Sequence, residues 1–257
     1  MAESSVVVIL CGGLGTRMGN ADGDLPKPMV RIGAFPLVAH IIQNFEKQGY
    51  RDFILAGGYK MDTLVTYFAN WDSHRIGYFA NFPSRDSKTP PNSAVRVIWT
   101  GEDTNTGGRI HNLEEFLSKY SEIVLTYGDT LTNLDMKKMR KVHLESNSEM
   151  TIAVGRPSSR FGEVELDQNG KVVSFKEKEK SSILASIGVF MIQKNFLRRL
   201  QNNSILEEEP IRNSVSDGVV NAYVHEGFWM PLDTNREYET FLELNKMPIP
   251  PWKNQDD

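Results

Sequence analysis

The apolar residues of this chain fall into two kinds of run, short aliphatic blocks and longer stretches with helical spacing, and the two alternate. Val6-Val7-Val8-Ile9-Leu10 is an unbroken block that empties into Cys11-Gly12-Gly13. A strand buried on both faces reads this way, and the glycines let the backbone leave it closely packed. Met29-Val30-Arg31-Ile32-Gly33 predicts a short extended piece. Pro36 then opens a helical pattern of Leu37, His40, Ile41, Asn44 and Phe45 that stops at Gly49. Asp52-Phe53-Ile54-Leu55-Ala56 predicts a strand closed by Gly57-Gly58, followed by a helix from Met61 to Trp71 with Leu64, Val65 and Phe68 inward. Val95–Trp99 predicts a strand, Arg109 to Tyr120 a helix, and Ile123–Tyr127 a strand. Strands alternating with helices of this length imply parallel βαβ units, an α/β fold of the Rossmann-like, doubly wound kind with a mostly parallel sheet.

The pattern changes in the second half. Short alternating runs at Thr151–Gly155, Gly162–Leu166, Val172–Lys176 and Ala185–Ile192 predict a small antiparallel β extension, and Asn235 to Leu244 predicts a last amphipathic helix. Asp72 to Asn92 is rich in Ser, Pro and Arg, either a long surface loop or an arm that packs on another subunit.

Composition narrows the function more than the fold. The chain has 257 residues, enough for a sizeable core in one domain or one with a small appendage. A net charge of −4 argues against a nucleic-acid partner, which calls for a basic surplus. No apolar run approaches a membrane span, and no leader-like segment is expected. The lone Cys11 has no partner for a disulfide and is expected to be a small core residue. A cytoplasmic protein is therefore expected.

Candidate chemistry begins at the first glycines. Gly12-Gly13-Leu14-Gly15-Thr16-Arg17 follows a strand, and Lys27 stands between Pro26 and Pro28. Bare backbone N–H groups in such a loop line a concavity suited to phosphate oxygens, with Arg17 and Lys27 as cations. The string is neither Gly-x-x-x-x-Gly-Lys-Ser/Thr nor Gly-x-Gly-x-x-Gly, so two familiar phosphate loops are excluded. A strand and glycine turn that only reverses the chain would show the same glycines, but without the two cations beside them.

Two aspartates supply the opposite charge. Tyr127-Gly128-Asp129 ends a predicted strand, where ligands of open α/β sheets gather. Phe228-Trp229-Met230-Pro231-Leu232-Asp233-Thr234 places a second acid just ahead of the last helix. Mg²⁺ on a nucleotide is held by one or two carboxylates plus phosphate oxygens. Taken singly, such residues are more often plain scaffold, Asp129 a turn former and Asp233 an N-cap, and it is the combination with a phosphate loop that points to a metal. Thr106-Gly107-Gly108-Arg109 at a helix start offers amides and the positive helix end to an anion, or is a plain helix entry. Phe175-Lys176-Glu177-Lys178-Glu179-Lys180 reads alone as a solvated edge. The five histidines show no ligand spacing, and His225 reads as structural.

Val7 through Arg17 followed by Pro26-Lys27-Pro28-Met29 resembles the signature of sugar-1-phosphate nucleotidyltransferases. Thr100-Gly101, Thr106-Gly107-Gly108-Arg109, Thr126-Tyr127-Gly128-Asp129, Arg160-Phe161-Gly162, Gly227 to Thr234 and Pro250-Pro251-Trp252-Lys253 are similar to the glucose-1-phosphate cytidylyltransferase branch. The resemblance implies one nucleotidyltransferase domain over 1–257, with a nucleotide-binding half at 5–145 and an acceptor-binding half at 146–247. It makes 72–94 an intersubunit arm or loop of a homo-oligomer. It implies Arg17 and Lys27 as catalytic residues, and Leu10, Gly12, Gly13, Gly15, Thr16, Arg17, Arg109 and Gly128 around the nucleotide. Asp129 and Asp233 would hold Mg²⁺, and Lys178 and Ser186 would contact the acceptor phosphate compound. CTP is the implied nucleotide, because the Gln- and Gly-containing segment of thymidylyl and uridylyl relatives is not apparent.

Three positions depart from that pattern. Leu25 stands where relatives carry a lysine, Glu177-Lys178-Glu179 replaces Glu-Lys-Pro, and Ser186-Ile187-Gly188 replaces Asn-Gly-Gly. A polar site that loses a hydrogen-bond partner discriminates strongly among substrates. Alternatives to a CTP-dependent sugar-1-phosphate enzyme are therefore the same chemistry on another phosphate monoester, another nucleotide, or a nucleotide-sugar-binding regulator without turnover.

Overall fold

Strand β1 (Ser5–Leu10) carries the first aliphatic block into the middle of a seven-stranded sheet, with Val6, Val7, Val8 and Ile9 fully buried. Val7 and Ile9 join one core cluster, while Val6, Val8 and Leu10 join the other. Cover on both faces is why the run is continuous rather than alternating. The structure, a computed structural model, describes residues 4–13, 25–69, 93–157, 163–176 and 183–253.

A 3-10 turn at Lys27–Met29 leads to the short pair β2 (Arg31–Ile32) and β3 (Phe35–Pro36). Helix α1 (Leu37–Lys47), β4 (Asp52–Gly57), α2 (Met61–Ala69) and β5 (Ala94–Trp99) follow. Then come α3 (Thr106–His111), α4 (Glu114–Leu117), β6 (Glu122–Tyr127), β7 (Thr130–Thr132) and α5 (Met136–Ser146). The second half supplies β8 (Met150–Gly155), β9 (Glu163–Leu166), β10 (Val172–Lys176) and β11 (Ala185–Ile192). It ends with α6 (Lys194–Leu197), α7 (Glu209–Ser216), β12 (Val220–Val224), β13 (Trp229–Pro231) and α8 (Asn235–Leu244).

The strand order is β12-β8-β11-β6-β1-β4-β5. Strands β6, β1, β4 and β5 run parallel, as do β8 and β12, and β11 lies antiparallel between β6 and β8. The mixed α/β architecture with a mostly parallel sheet agrees with the sequence. The antiparallel part is smaller than the four alternating runs imply, because β8 and β11 belong to the central sheet. Only the β9–β10 hairpin stands apart from it, alongside the short pairs β7–β13 and β2–β3. No helix among the described residues is long and apolar enough to cross a membrane.

Local differences from the sequence reading have identifiable causes. Met29 sits in the 3-10 turn, since Pro26 and Pro28 fix φ there, and the extended piece shrinks to Arg31–Ile32. In α2 Val65 is 44% exposed and Tyr67 takes its place inside, which suits the 100° step from Leu64. The helix expected from Arg109 to Tyr120 starts at Thr106 and is split by a turn at Asn112 and Leu113. Asn112 donates from Nδ2 to the Thr100 carbonyl at 3.1 Å, which anchors the split to the end of β5. Of the 72–94 arm, only Ser93 and the first residue of β5 are described, and its intersubunit role falls on residues outside the description.

Trp252 packs into the same core cluster as Phe241. Trp252 is 1% exposed, with its ring 5.6 Å from Phe241, 5.9 Å from His40 and 6.1 Å from Phe228. Burial pushes the His40 imidazole down to about 4, so it is neutral at pH 7, and its Nε2 lies 3.0 Å from the Ile32 carbonyl. Trp252→Ala is expected to cost about 3–5 kcal/mol in denaturant unfolding, the range for emptying a buried aromatic site. A loss below 1 kcal/mol on the same scale would mean the tail is dispensable.

Candidate active site

Because β1, β4, β5 and β6 are parallel, their carboxyl ends reach one edge of the sheet. Backbone pairing continues just past the strands. Cys11 N–H donates to the Ala56 carbonyl at 3.0 Å, Gly128 to Leu10 at 3.0 Å, and Thr100 to Gly57 at 2.9 Å. Gly12, Thr100 and Gly128 are thereby gathered on one rim. A Cβ at Gly128 would lie 2.9 Å from both the Leu10 carbonyl oxygen and Pro28 Cγ. Only glycine lets the Pro28 ring seat there, and that seat brings Lys27 to the rim.

Asp233 arrives from far along the chain. Strand β13 pairs antiparallel with β7, Pro231 opposite Thr130, and Leu232 N–H donates to the Asp129 carbonyl at 2.7 Å. Asp233 is not the cap of α8. Thr234 fills that role, its hydroxyl accepting from Glu237 N–H at 3.3 Å, while Glu237 Oε2 accepts from the N–H groups of Thr234 and Asp233. This capping box leaves the Asp233 carboxylate free to face the rim. Lys27 Nζ donates to Asp233 Oδ1 at 2.5 Å and lies 3.5 Å from Asp129 Oδ2. Thr130 Oγ1 donates to Asp129 Oδ1 at 3.2 Å. Burial raises the Asp129 carboxyl above its ordinary value, Lys27 pulls it down, and Asp233 pushes it up again.

Two cavities meet at this triad. The first, about 340 Å³, is lined by Gly12, Gly13, Lys27, Thr104, Asn105 and Arg109 among others. The second, about 560 Å³, is lined by Ser186, Ile187, Gly188, Glu207, Trp229 and Asp233 among others. Tyr127 and Asp129 line both. Leu10, Lys27, Gly128 and Asp129 thus lie together on the first cavity with Gly12 and Gly13.

The remaining predicted residues divide. Ser186 lies on the second cavity, exposed, its Oγ accepting from Gly188 N–H at 3.2 Å. Ile187 is 1% exposed and packs in the core as part of that cavity's wall. Arg109 lines the first cavity, but its terminal nitrogens are engaged by main-chain carbonyls. Gly15, Thr16, Arg17, Lys178 and the Arg160-Phe161-Gly162 motif lie outside the described residues. Cys11 is buried, with its thiol pushed up by burial, and His225 is buried with Nε2 3.0 Å from the Phe228 carbonyl. Both suit the structural roles expected of them.

Sequence reasoning gave no role to Thr104, Asn105, Tyr127, Glu207 or Trp229. Tyr127 and Trp229 stood inside the quoted motifs, and Thr104-Asn105 directly preceded another, so adjacency was the available signal. Glu207 carried none. It reaches the site because Thr106 Oγ1 donates to its Oε2 at 2.8 Å across 101 positions of sequence.

Comparison with known proteins gives concordant results. The nucleotidyl transferase family is matched over residues 6–233. The glucose-1-phosphate cytidylyltransferase of Salmonella typhi is 32% identical over 255 residues, covering 96% of this chain and 99% of that protein. The D-glycero-alpha-D-manno-heptose 1-phosphate guanylyltransferase of Campylobacter jejuni is 26% identical over 243 residues, covering 93% and 99%. The crystal structure of HddC from Yersinia pseudotuberculosis complexed with GMP-PN superposes with a TM-score of 0.66 at 26% identity, covering 93% and 98%. A match that runs from the first buried strand to the aspartate ahead of the last helix leaves the fold and its rim in one inheritance, and the chain belongs to the nucleotidyl transferase family.

Proposed function

We propose that this nucleotidyltransferase moves a nucleotidyl group, with CTP the favoured donor, onto a sugar 1-phosphate and releases pyrophosphate. The carrying observation is that one lysine and two aspartates converge where two cavities share Tyr127 and Asp129. One cavity, walled by the glycine loop, suits the nucleotide, and the other the acceptor. An oxygen of the acceptor phosphate attacks the α-phosphorus in line. The bond to the bridging oxygen breaks, and pyrophosphate leaves with the electron pair. The acceptor is already an anion, so positioning and charge neutralisation suffice without a general base.

The donors present fit Mg²⁺. Asp129 and Asp233 offer hard carboxylate oxygens that already converge on one cation, the ammonium of Lys27. Among the described residues no cluster of three or more His, Cys, Asp or Glu side chains forms a metal site. Phosphate oxygens of the nucleotide would therefore complete the shell, as is usual for Mg²⁺. Bound there, Mg²⁺ would supply charge neutralisation at the α-phosphate. Lys27 would face the triphosphate from the same rim, and Gly12 and Gly13 would offer it backbone amides.

Support for CTP is the 32% identity to a cytidylyltransferase over nearly the whole of both chains. Support for an altered acceptor is the second cavity itself, where Ser186 and Ile187 stand among apolar walls such as Trp229. The test is pyrophosphate release with Mg²⁺ and each of the four nucleoside triphosphates against a panel of sugar 1-phosphates and other phosphate monoesters. Turnover highest with CTP and one of the sugar 1-phosphates is expected. Turnover with CTP and only a non-sugar phosphate assigns the second cavity to that acceptor instead, and preference for GTP overturns the choice of nucleotide. Nucleotide binding without turnover in any pair would make the chain a regulator.

A further inference from the structure

Arg109 is 5% exposed, yet its hydrogen-bond partners among the described residues are four carbonyls and one hydroxyl rather than a carboxylate. Nη2 donates to the Gly12 carbonyl at 2.9 Å and the Glu102 carbonyl at 2.9 Å. Nη1 donates to the Gly101 carbonyl at 2.6 Å and Thr100 Oγ1 at 2.9 Å, with the Gly57 carbonyl at 3.3 Å. One planar fork thus ties the last residue of β4 to the chain just past β1 and β5. A Cβ at Gly12 or Gly58 would collide with the guanidinium, so those two glycines make the room it occupies.

We propose that Arg109 is a positioning residue that sets the two walls of the first cavity through the main chain. The inference rests on the reading that this cavity takes the nucleotide. Gly12 and Gly13 form one wall, and Thr104 and Asn105 belong to the segment that Arg109 grips at Gly101 and Glu102. The peptide unit is planar and trans, so the N–H of Gly13 points opposite to the Gly12 carbonyl. Holding that carbonyl against Arg109 turns the Gly13 amide away from the guanidinium and fixes its direction. A lysine keeps the charge but has one compact nitrogen in place of a rigid fork, so it cannot span these acceptors.

The test is Arg109→Lys, read first by hydrogen exchange of the ligand-free protein. Exchange about tenfold faster is expected in peptides covering 10–13 and 99–106, with α5 unchanged as an internal control. Turnover with the donor and acceptor found by the panel should fall about 100-fold, the cost of a misplacement near 1 Å. Wild-type exchange in both segments overturns the proposal whatever the activity, because a residue that works only by touching the ligand leaves the ligand-free loops alone. Faster exchange with wild-type kinetics overturns it as well. Should Arg109→Lys not fold, Thr100→Val removes one acceptor of the fork, and faster exchange confined to 99–106 is expected, with no change overturning the proposal. The exchange arm needs no nucleotide, so a chain inactive with every pair would defeat the proposed function while leaving this reading to stand or fall by itself.

Discussion

Lys27→Ala is expected to lower turnover by about 10²–10³-fold, the loss typical of removing one group that stabilises transition-state charge. The melting temperature should move by no more than about 4 °C, since the lysine ammonium sits at a partly open rim and not in the core. The geometry adds a second expectation with the opposite sign. Lys27 Nζ stands between the Asp129 and Asp233 carboxylates, at 3.5 and 2.5 Å, in the place a cation would take. Removing it leaves two carboxylates facing each other without a counter-charge, so the ligand-free variant should bind Mn²⁺ or Mg²⁺ more tightly than the wild type. Steady-state pyrophosphate release, a thermal melt and a Mn²⁺ titration read the three quantities. Turnover within a few-fold of the wild type would remove Lys27 from the reaction. Unchanged cation affinity beside lost turnover would mean that the two aspartates do not share an ion.

Much of this arrangement was legible in the sequence, and what was missed shares a cause. The strands buried on both faces announced themselves as unbroken aliphatic blocks, and α8 from Asn235 to Leu244 showed its period directly. Helix α5 did not, because only Met136, Met139 and His143 of its eleven residues are buried. Strand β12 is equally faint, with Asn221 and Tyr223 among its five residues and none of them fully buried. An element covered on one narrow stripe leaves too few apolar positions to set a period.

The site divided in the same way. Residues next to glycines at strand ends could be read, because glycine marks close backbone approach. What periodicity could not give was the company a side chain keeps across the fold. Nothing in Thr106-Gly107-Gly108-Arg109 shows that the fork reaches the carbonyls of Gly12, Gly101 and Glu102. The glycine pair before it reads as a helix entry, and the string gives no reason for two glycines there. A Cβ at Gly108 would run into the Asn202 carbonyl, and one at Gly107 would meet Ser204, so both glycines sit inside a helix under a crossing segment.

Asp233 and Thr234 separate site from scaffold most sharply, because adjacent residues have divided two tasks that a lone aspartate before a helix would combine. Asp233→Asn keeps the shape of the side chain and leaves the capping box of Thr234 and Glu237 intact. It removes the charge that pairs with Lys27 and that would hold the metal. Turnover at fixed Mg²⁺ is expected to fall by at least about 100-fold, as for loss of a charge-stabilising group. The Mg²⁺ concentration for half activity should rise, with the melting temperature within about 3 °C of the wild type. Thr234→Ala should do the reverse. It removes the hydroxyl that accepts from Glu237 N–H, costing about 0.5–2 kcal/mol of stability while activity stays within a few-fold. Parallel melts and Mg²⁺ titrations of the two variants decide the matter. If Asp233→Asn melted early and kept its Mg²⁺ dependence while Thr234→Ala lost turnover, the aspartate would be the scaffold. The cation site would then have to be sought elsewhere on the rim.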